Sequence, residues 1–338
     1  MAHRARIVVL LLLLAFAAAN AQAQGRCRFL KVVEWPVRPG GTHIVVDGAI
    51  NGKPVGIMLD TGAMVSSIER HSAVALGLPL RDAPGRQVVG IGGQAQAQIA
   101  TVDEFKLGEA ATSSLQLLVV GDDDRHRPWD VMLGEDFLQR FDVEFDLRRQ
   151  AVRLFQPRDC DGVSLAYWAK ENVAEVGIEA IVESRPRIEF EVRLNDRTVN
   201  AMLDSGAGVS IVPYADAEAL GIRRQSPDVT SAGAVQGVGA RAIPVWTAPF
   251  ASFAIGNETI PDVRIAFAEI WKNTAVSATG SNVGRKLARE PMIVGADFLR
   301  AHRMLVSHSQ RRLYFTYEGG PVFAGPPPPK VPTARDKP

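Results

Sequence analysis

The chain has 338 residues, of which 46% are hydrophobic and 22% are charged, and its formal net charge is +1. This composition is typical of a folded soluble protein, and the length allows one large domain or two ordinary ones. Because the charge is balanced and no long basic run occurs in the sequence, we expect no nucleic-acid partner.

The first 23 residues have the order of a secretory signal peptide. Arginines within Met1–Arg6 precede the apolar run Ile7–Ala19, and Ala21-Gln22-Ala23 has the form of a cleavage site. We therefore expect residues 1–23 to be removed, the mature chain to be exported to the periplasm or beyond, and no transmembrane segment to remain. An uncleaved anchor is the weaker alternative, because the apolar run is short for a bilayer span.

The sequence has two cysteines, Cys27 and Cys160. In an oxidising compartment they could form a disulfide, which would tie the N-terminal segment 24–41 to the middle of the chain. The alternative is a pair of free thiols. We expect the disulfide, because export would place both residues where oxidation is favoured.

An internal repeat organises the rest of the chain. Residues 42–60 read THIVVDGAINGKPVGIMLD, and residues 186–204 read PRIEFEVRLNDRTVNAMLD, 144 positions later. In each copy, alternating apolar and polar residues lead to a turn, Asn51-Gly52 or Asn195-Asp196, and then to an apolar strand that ends on an aspartate. This pattern predicts a β-hairpin in each copy.

The repeat continues beyond the aspartates. A short helical pattern closed by Gly77 or Gly221 is followed by a glycine-rich hairpin, and residues 130–155 correspond to residues 291–315. The second copy holds 17 extra residues around 271–290, which predict a surface loop. The hairpin residues singled out here are Gly90, Ile91, Gly92 and Gly93 in the first copy and Gly237, Val238 and Gly239 in the second.

The repeat predicts two homologous lobes. The first spans residues 42–157 and the second residues 186–317, with an inter-lobe connection at 158–185. Short strands and frequent turns favour a mainly β fold. Residues 318–338 are rich in proline and polar residues, so we expect a disordered tail there.

The two aspartates that end equivalent strands, Asp60 and Asp204, are the candidate catalytic residues. Two carboxyl groups held about 3 Å apart share one proton, so that one can activate water while the other polarises a carbonyl. A pseudo-two-fold axis between equivalent lobes would bring one carboxyl from each lobe together. The alternative is that both are ordinary turn residues, since Asp-Ser-Gly is common in turns.

The residues after each aspartate suit a support for such a pair. The hydroxyls of Thr61 and Ser205 could hydrogen-bond across the axis and lock the two turns. Gly62 and Gly206 would let the backbone come close to the carboxylates and donate N–H groups to them.

These motifs resemble three landmarks of the retropepsin-like aspartic proteases. DTGAMVSS resembles the catalytic loop, GIGG the flap, and VMLGEDFL the segment that packs under the catalytic loop; the second lobe repeats them as DSGAGVS, GVG and MIVGADFL. The resemblance implies two acid-protease β-barrel lobes related by a pseudo-two-fold axis, with the active site between them. It assigns catalysis to Asp60 and Asp204 and a substrate-covering role to the two glycine hairpins.

The resemblance also implies an endopeptidase that acts on a polypeptide substrate without cofactor or metal. Because one chain supplies both lobes, we expect it to work as a monomer. Ala63 and Ala207 follow the two triplets where pepsins carry a hydroxyl residue, so we expect an optimum between mildly acidic and neutral pH. The alternative function is a peptide-binding or scaffold protein on the same fold without catalysis.

Overall fold

The computed structural model describes residues 27–90, 93–121, 127–180, 186–237, 242–272 and 290–323, with the backbone alone for 85–90 and 93–96. Its strands are β1 Arg28–Pro36, β2 Val45–Ile50, β3 Lys53–Leu59, β4 Ser67–Glu69, β5 Leu80–Gly90, β6 Gly93–Leu107, β7 Ala110–Val120, β8 Val131–Leu133, β9 Asp142–Asp146, β10 Ala151–Arg158, β11 Ala174–Gly177, β12 Glu189–Leu194, β13 Arg197–Leu203, β14 Ile211–Pro213, β15 Thr230–Val235, β16 Ile243–Ile255, β17 Glu258–Ala268, β18 Met292–Val294, β19 His302–Ser307 and β20 Arg312–Tyr317. The helices are α1 Arg70–Leu76, α2 Glu135–Leu138, α3 Tyr214–Ala219 and α4 Ala296–Ala301, and a 3-10 turn covers Leu147–Arg149.

Each lobe is a small closed β-barrel. In the first lobe the strand order is β2-β3-β8-β4-β7-β6, and β2 also pairs with β6, which closes the ring and leaves β5 as an extension of the β5–β6 hairpin. The second lobe repeats this order as β12-β13-β18-β14-β17-β16, closed by β12 with β16 and extended by β15. The prediction of a mainly β protein with two homologous barrel lobes is confirmed.

The two predicted hairpin turns form where the sequence places them. Asn51 and Gly52 between β2 and β3 have φ of 48° and 76°, and Asn195 and Asp196 between β12 and β13 have φ of 47° and 65°. A two-residue turn with positive φ at both central positions matches the twist of the flanking strands, and asparagine, aspartate and glycine tolerate that backbone best. The turns therefore fix the register of the strands that lead to the aspartates.

A third sheet joins the two lobes and was not predicted from the sequence. Its order is β1-β10-β9-β19-β20-β11, and at its centre β9 of the first lobe pairs with β19 of the second, with Phe145 opposite Met304. The sheet includes β1 from the N-terminal segment 24–41 and β11 from the inter-lobe connection 158–185. The lobes are thus held by backbone hydrogen bonds as well as by side chains.

The two cysteines lie at the edge of this shared sheet. Cys27 directly precedes β1, Cys160 follows β10, and their sulfur atoms are bonded at 2.15 Å. Since β1 and β10 are themselves paired, the bond joins two segments that the sheet already holds together.

The packed chain extends to Phe323, past the predicted start of the tail at residue 318. Phe323 is 7% exposed, and its ring lies 4.9 Å from that of Phe253 and 5.8 Å from that of Phe298. Burial of an aromatic side chain offsets the entropy lost by ordering a few polar residues. The remainder of the predicted tail, 324–338, lies outside the described residues, as do residues 273–289 of the predicted insertion and the signal peptide.

We expect Phe323→Ala to lower the free energy of unfolding by about 3 kcal/mol, because it removes a buried ring from the core. Urea denaturation would measure the change. Val74→Ala, at a side chain that is 63% exposed, is the control and should change stability by no more than about 0.5 kcal/mol. Equal stabilities for Phe323→Ala and the parent chain would show that the chain end does not pack on the second lobe.

Candidate active site

Asp60 and Asp204 stand at equivalent places in the two barrels. Asp60 follows β3 and Asp204 follows β13, and each preceding strand pairs in parallel with the short strand β8 or β18. The Asp60 N–H donates to the carbonyl of Leu133 at 3.0 Å, and the Asp204 N–H donates to that of Val294 at 2.9 Å. These hydrogen bonds to β8 and β18 therefore fix the backbone of both aspartates.

Each carboxylate is held by backbone N–H groups of its own loop. Asp60 Oδ1 accepts from the N–H groups of Gly62 at 2.9 Å and Ala63 at 3.0 Å. Asp204 Oδ1 accepts from the N–H of Ala207 at 2.9 Å. These donors orient the carboxyl groups and stabilise their ionised forms.

Each carboxyl group also lies against the glycine of the opposite lobe's loop. A Cβ atom built on Gly62 would lie under 3.0 Å from the carboxyl atoms of Asp204, and one built on Gly206 would lie equally close to those of Asp60. No other residue fits at these two positions without displacing the opposite carboxyl. The glycines are thus required by the close approach of the two aspartates.

Reciprocal hydrogen bonds between Thr61 and Ser205 join the two turns. Thr61 Oγ1 donates to the Leu203 carbonyl at 3.0 Å and accepts from the Ser205 N–H at 2.9 Å. Ser205 Oγ donates to the Leu59 carbonyl at 2.8 Å and accepts from the Thr61 N–H at 3.0 Å. Both residues are buried, at 1% and 0% exposure, so water cannot replace these bonds.

Burial raises the pKa of both aspartates. Burial raises the pKa of Asp60 well above its usual 3.8, and the charge of Asp204 raises it further. Burial also raises the pKa of Asp204, but hydrogen bonds from Ala207, Asp60 and Gly206 and the charge of Arg187 oppose that rise. A pair of this kind favours the state that holds one proton and one negative charge.

A second layer of polar residues supports each loop, and sequence reasoning missed it. Ser66 Oγ donates to Asp136 Oδ1 at 2.6 Å and accepts from the Gly134 N–H at 3.0 Å. The second lobe repeats this arrangement: Ser210 Oγ donates to Asp297 Oδ1 at 2.6 Å and accepts from the Gly295 N–H at 2.9 Å.

The signal for this layer was present in the sequence. Ser66 and Ser210 each follow the aspartate of the catalytic pair, called the dyad below, by six residues. Asp136 and Asp297 each follow the glycine of a VMLGEDFL-like segment by two residues. The same segments also hold the loops through their backbone, because the Glu135 N–H donates to the Ala63 carbonyl and the Ala296 N–H to the Ala207 carbonyl, both at 2.8 Å.

The predicted covering hairpins are only partly described. Gly90 pairs with Gly93 at the end of the β5–β6 hairpin, and the tip residues Ile91 and Gly92 lie outside the described residues. In the second lobe β15 pairs with β16 up to Val235 and Ile243. Gly237 lies beyond that pair, and Val238 and Gly239 lie outside the described residues.

Over the described ranges, no group of three or more His, Cys, Asp or Glu side chains is placed to hold a metal ion. None of the helices described is long and apolar enough to cross a membrane.

Comparison with known proteins places this arrangement in a family. The sequence model described as "Aspartyl protease" matches residues 46–137 and 190–298, one match in each lobe. Among solved structures, the chain is similar to a retropepsin-like aspartic protease from Rickettsia conorii, with 20% identity and a TM-score of 0.29 over 39% of this chain and 94% of that chain. No curated protein matches the sequence.

We expect Thr61→Val to lower the free energy of unfolding by about 2–4 kcal/mol, because it leaves the buried Ser205 N–H and Leu203 carbonyl without partners. Urea denaturation of the two proteins would measure the loss. The exposed Thr198→Val in β13 is the matched control, with an expected change within about 0.5 kcal/mol. A loss no larger than that of the control would contradict a locking role for the Thr61 hydroxyl.

Proposed function

Because the chain belongs to the aspartyl protease family, we propose that it is an aspartic endopeptidase whose catalytic residues are Asp60 and Asp204. The observation that carries this proposal is the crossing of the two carboxyl groups, each against the glycine of the opposite lobe. Two acids in such contact, with pKa values raised above 3.8, can hold one shared proton at pH values where a free aspartate would be ionised.

The chemistry needs only this pair and a water molecule. The ionised carboxylate takes a proton from water as the water oxygen bonds to the peptide carbonyl carbon, and the protonated carboxyl gives its proton to the carbonyl oxygen. The resulting diol then collapses: the C–N bond breaks, a diol hydroxyl proton returns to one carboxyl, and the other carboxyl protonates the leaving amine. One carboxyl again carries a proton and the other a charge, so the cycle is complete.

The surroundings of the pair support a peptide substrate. Met64 and Val65, which follow the catalytic loop of the first lobe, are 39% and 52% exposed, although large apolar side chains are usually buried. They offer apolar contact beside the dyad. The hairpins that end near Gly90–Gly93 and beyond Gly237 would cover a peptide from the other side.

Localisation and assembly follow as parts of the proposal. The bond between Cys27 and Cys160 supports an exported chain, because such bonds persist in oxidising compartments. The two lobes of one chain support activity as a monomer, since each contributes one carboxyl. The alternative, a peptide-binding protein without catalysis, would bind the same peptides and leave them intact.

We expect Asp60→Asn and Asp204→Asn each to lower kcat/KM by about 1000-fold or more, because an amide can neither share the proton nor activate water. A peptide library incubated with the mature protein would identify substrates, and mass spectrometry would measure cleavage. Asp47→Asn, at an exposed residue of β2, is the matched control and should cleave at the parent rate. Peptide binding without cleavage by the parent chain would favour the non-catalytic alternative.

We expect kcat/KM to peak between mildly acidic and neutral pH. Cleavage requires the singly protonated pair, and the pKa of Asp60 lies well above 3.8, so activity should fall only as pH rises through that higher value. A pH–rate profile on one peptide, from about pH 2 to about pH 8, would measure both limbs. A maximum below about pH 3, the regime of the pepsin dyad, would contradict the expectation.

A further inference from the structure

A basic residue stands opposite each dyad aspartate. In the first lobe the Leu59 N–H donates to the Ile44 carbonyl at 2.9 Å, and continuing the β2–β3 register by one pair places His43 opposite Asp60. In the second lobe the Leu203 N–H donates to the Ile188 carbonyl at 3.0 Å, and the same continuation of the β12–β13 register places a basic residue opposite the second aspartate. That residue is Arg187, which follows His43 by 144 positions.

The two basic residues differ in charge. The His43 ring lies 4.4 Å from that of Trp129, and burial with the nearby charges of Arg300 and Arg127 lowers the pKa of His43 to about 4. His43 is therefore neutral above about pH 5. Arg187 keeps its charge at every working pH.

The arginine is held in a partly desolvated position. Its guanidinium lies 5.6 Å from the ring of Trp271, its side chain is 16% exposed, and Glu189 Oε1 is 4.0 Å from Nη1. The ring and the limited exposure reduce screening by water, so the charge acts on neighbouring groups more strongly than on an open surface. Glu189, which is 24% exposed, offsets part of that charge.

We propose that Arg187 is a positioning residue that makes the dyad asymmetric, so that Asp204 carries the negative charge and acts as the base while Asp60 carries the proton and acts as the acid. The assignment of base and acid rests on the proposed function; the location of the charge does not. Directly opposed residues of antiparallel strands have Cβ atoms about 4.5–5.5 Å apart, and an opposite charge at short range favours the ionised form of a carboxyl group.

The balance of the other nearby groups agrees with this assignment. The Arg187 charge favours ionisation of Asp204. Opposite Asp60 the corresponding histidine is neutral. Among the residues that the structure describes, Arg300 and Arg127 are charged groups near that histidine, and Glu189 is a carboxylate near Arg187.

The experiment measures the pKa of each of the two carboxyl groups separately, without substrate. In Asp60→Asn the carboxyl that remains is that of Asp204, and in Asp204→Asn it is that of Asp60. Carbon-13 NMR of labelled aspartate would follow the titration of each remaining carboxyl. The signal is assigned as the one that the double variant lacks. We expect Asp204 to titrate at lower pH than Asp60. Adding Arg187→Gln should raise the pKa of Asp204 by about one unit and that of Asp60 by less.

Two further variants separate charge from structure. Arg187→Lys, which keeps the charge, should leave the pKa of Asp204 close to that of the chain with arginine. His43→Gln should leave the pKa values of both aspartates unchanged, because His43 is neutral above about pH 5. The order of the two pKa values requires no change at Arg187, so it tests the proposal even if Arg187→Gln does not fold.

Equal or reversed pKa values for Asp60 and Asp204, or no response of Asp204 to Arg187→Gln, would overturn the proposal. A chain that shows the expected order but cleaves no peptide would instead refute the proposed function and leave the charge asymmetry standing. The two failures are therefore distinguishable.

Discussion

The paired hydrogen bonds between Thr61 and Ser205 are the constraint on which the site depends. Each hydroxyl donates to the opposite strand and accepts from the opposite turn, in a buried place where nothing else can satisfy those groups. The same two turns carry the carboxyl groups, and Gly62 and Gly206 let each carboxyl cross the axis. The position of one lobe relative to the other and the distance between the carboxyls are therefore set by the same contacts.

This arrangement has a cost that the rest of the fold must offset. Because the pKa values of Asp60 and Asp204 are raised on folding, their favourable contribution to stability is present below the unfolded value of 3.8 and is lost as pH rises through the folded values. At a mildly acidic or neutral pH the dyad opposes folding. The six-stranded sheet shared by both lobes supplies backbone hydrogen bonds across the lobes that do not titrate in this range, so it offsets part of that cost.

What could be predicted from the sequence was local or repeated. The turns at Asn51-Gly52 and Asn195-Asp196 depend on backbone preferences of the residues themselves, and the repeat paired Asp60 with Asp204 without any knowledge of distance. The shared sheet and the burial of Phe323 depend on segments far apart in the chain, whereas the Ser66–Asp136 contact, repeated as Ser210–Asp297, left a signal in both copies that was missed. Short strands such as β9 and β19 carry no signal for their partner. Phe323 lies among polar residues and prolines, a composition that is typical of a disordered tail.

Fusion of two lobes into one chain permits a difference that identical subunits cannot have. In a dimer of identical lobes both aspartates would face the same side chain, whereas here one faces histidine and the other arginine. The second lobe contributes to both sides of this difference, because Arg300 of α4 donates to the carbonyls of Gly41 and Thr42 and its charge helps to keep His43 neutral. The equivalent residue of the first lobe is the uncharged Gln139. Divergence after duplication thus gave the two aspartates different neighbours, which is the physical basis of the proposed difference between the two carboxyls.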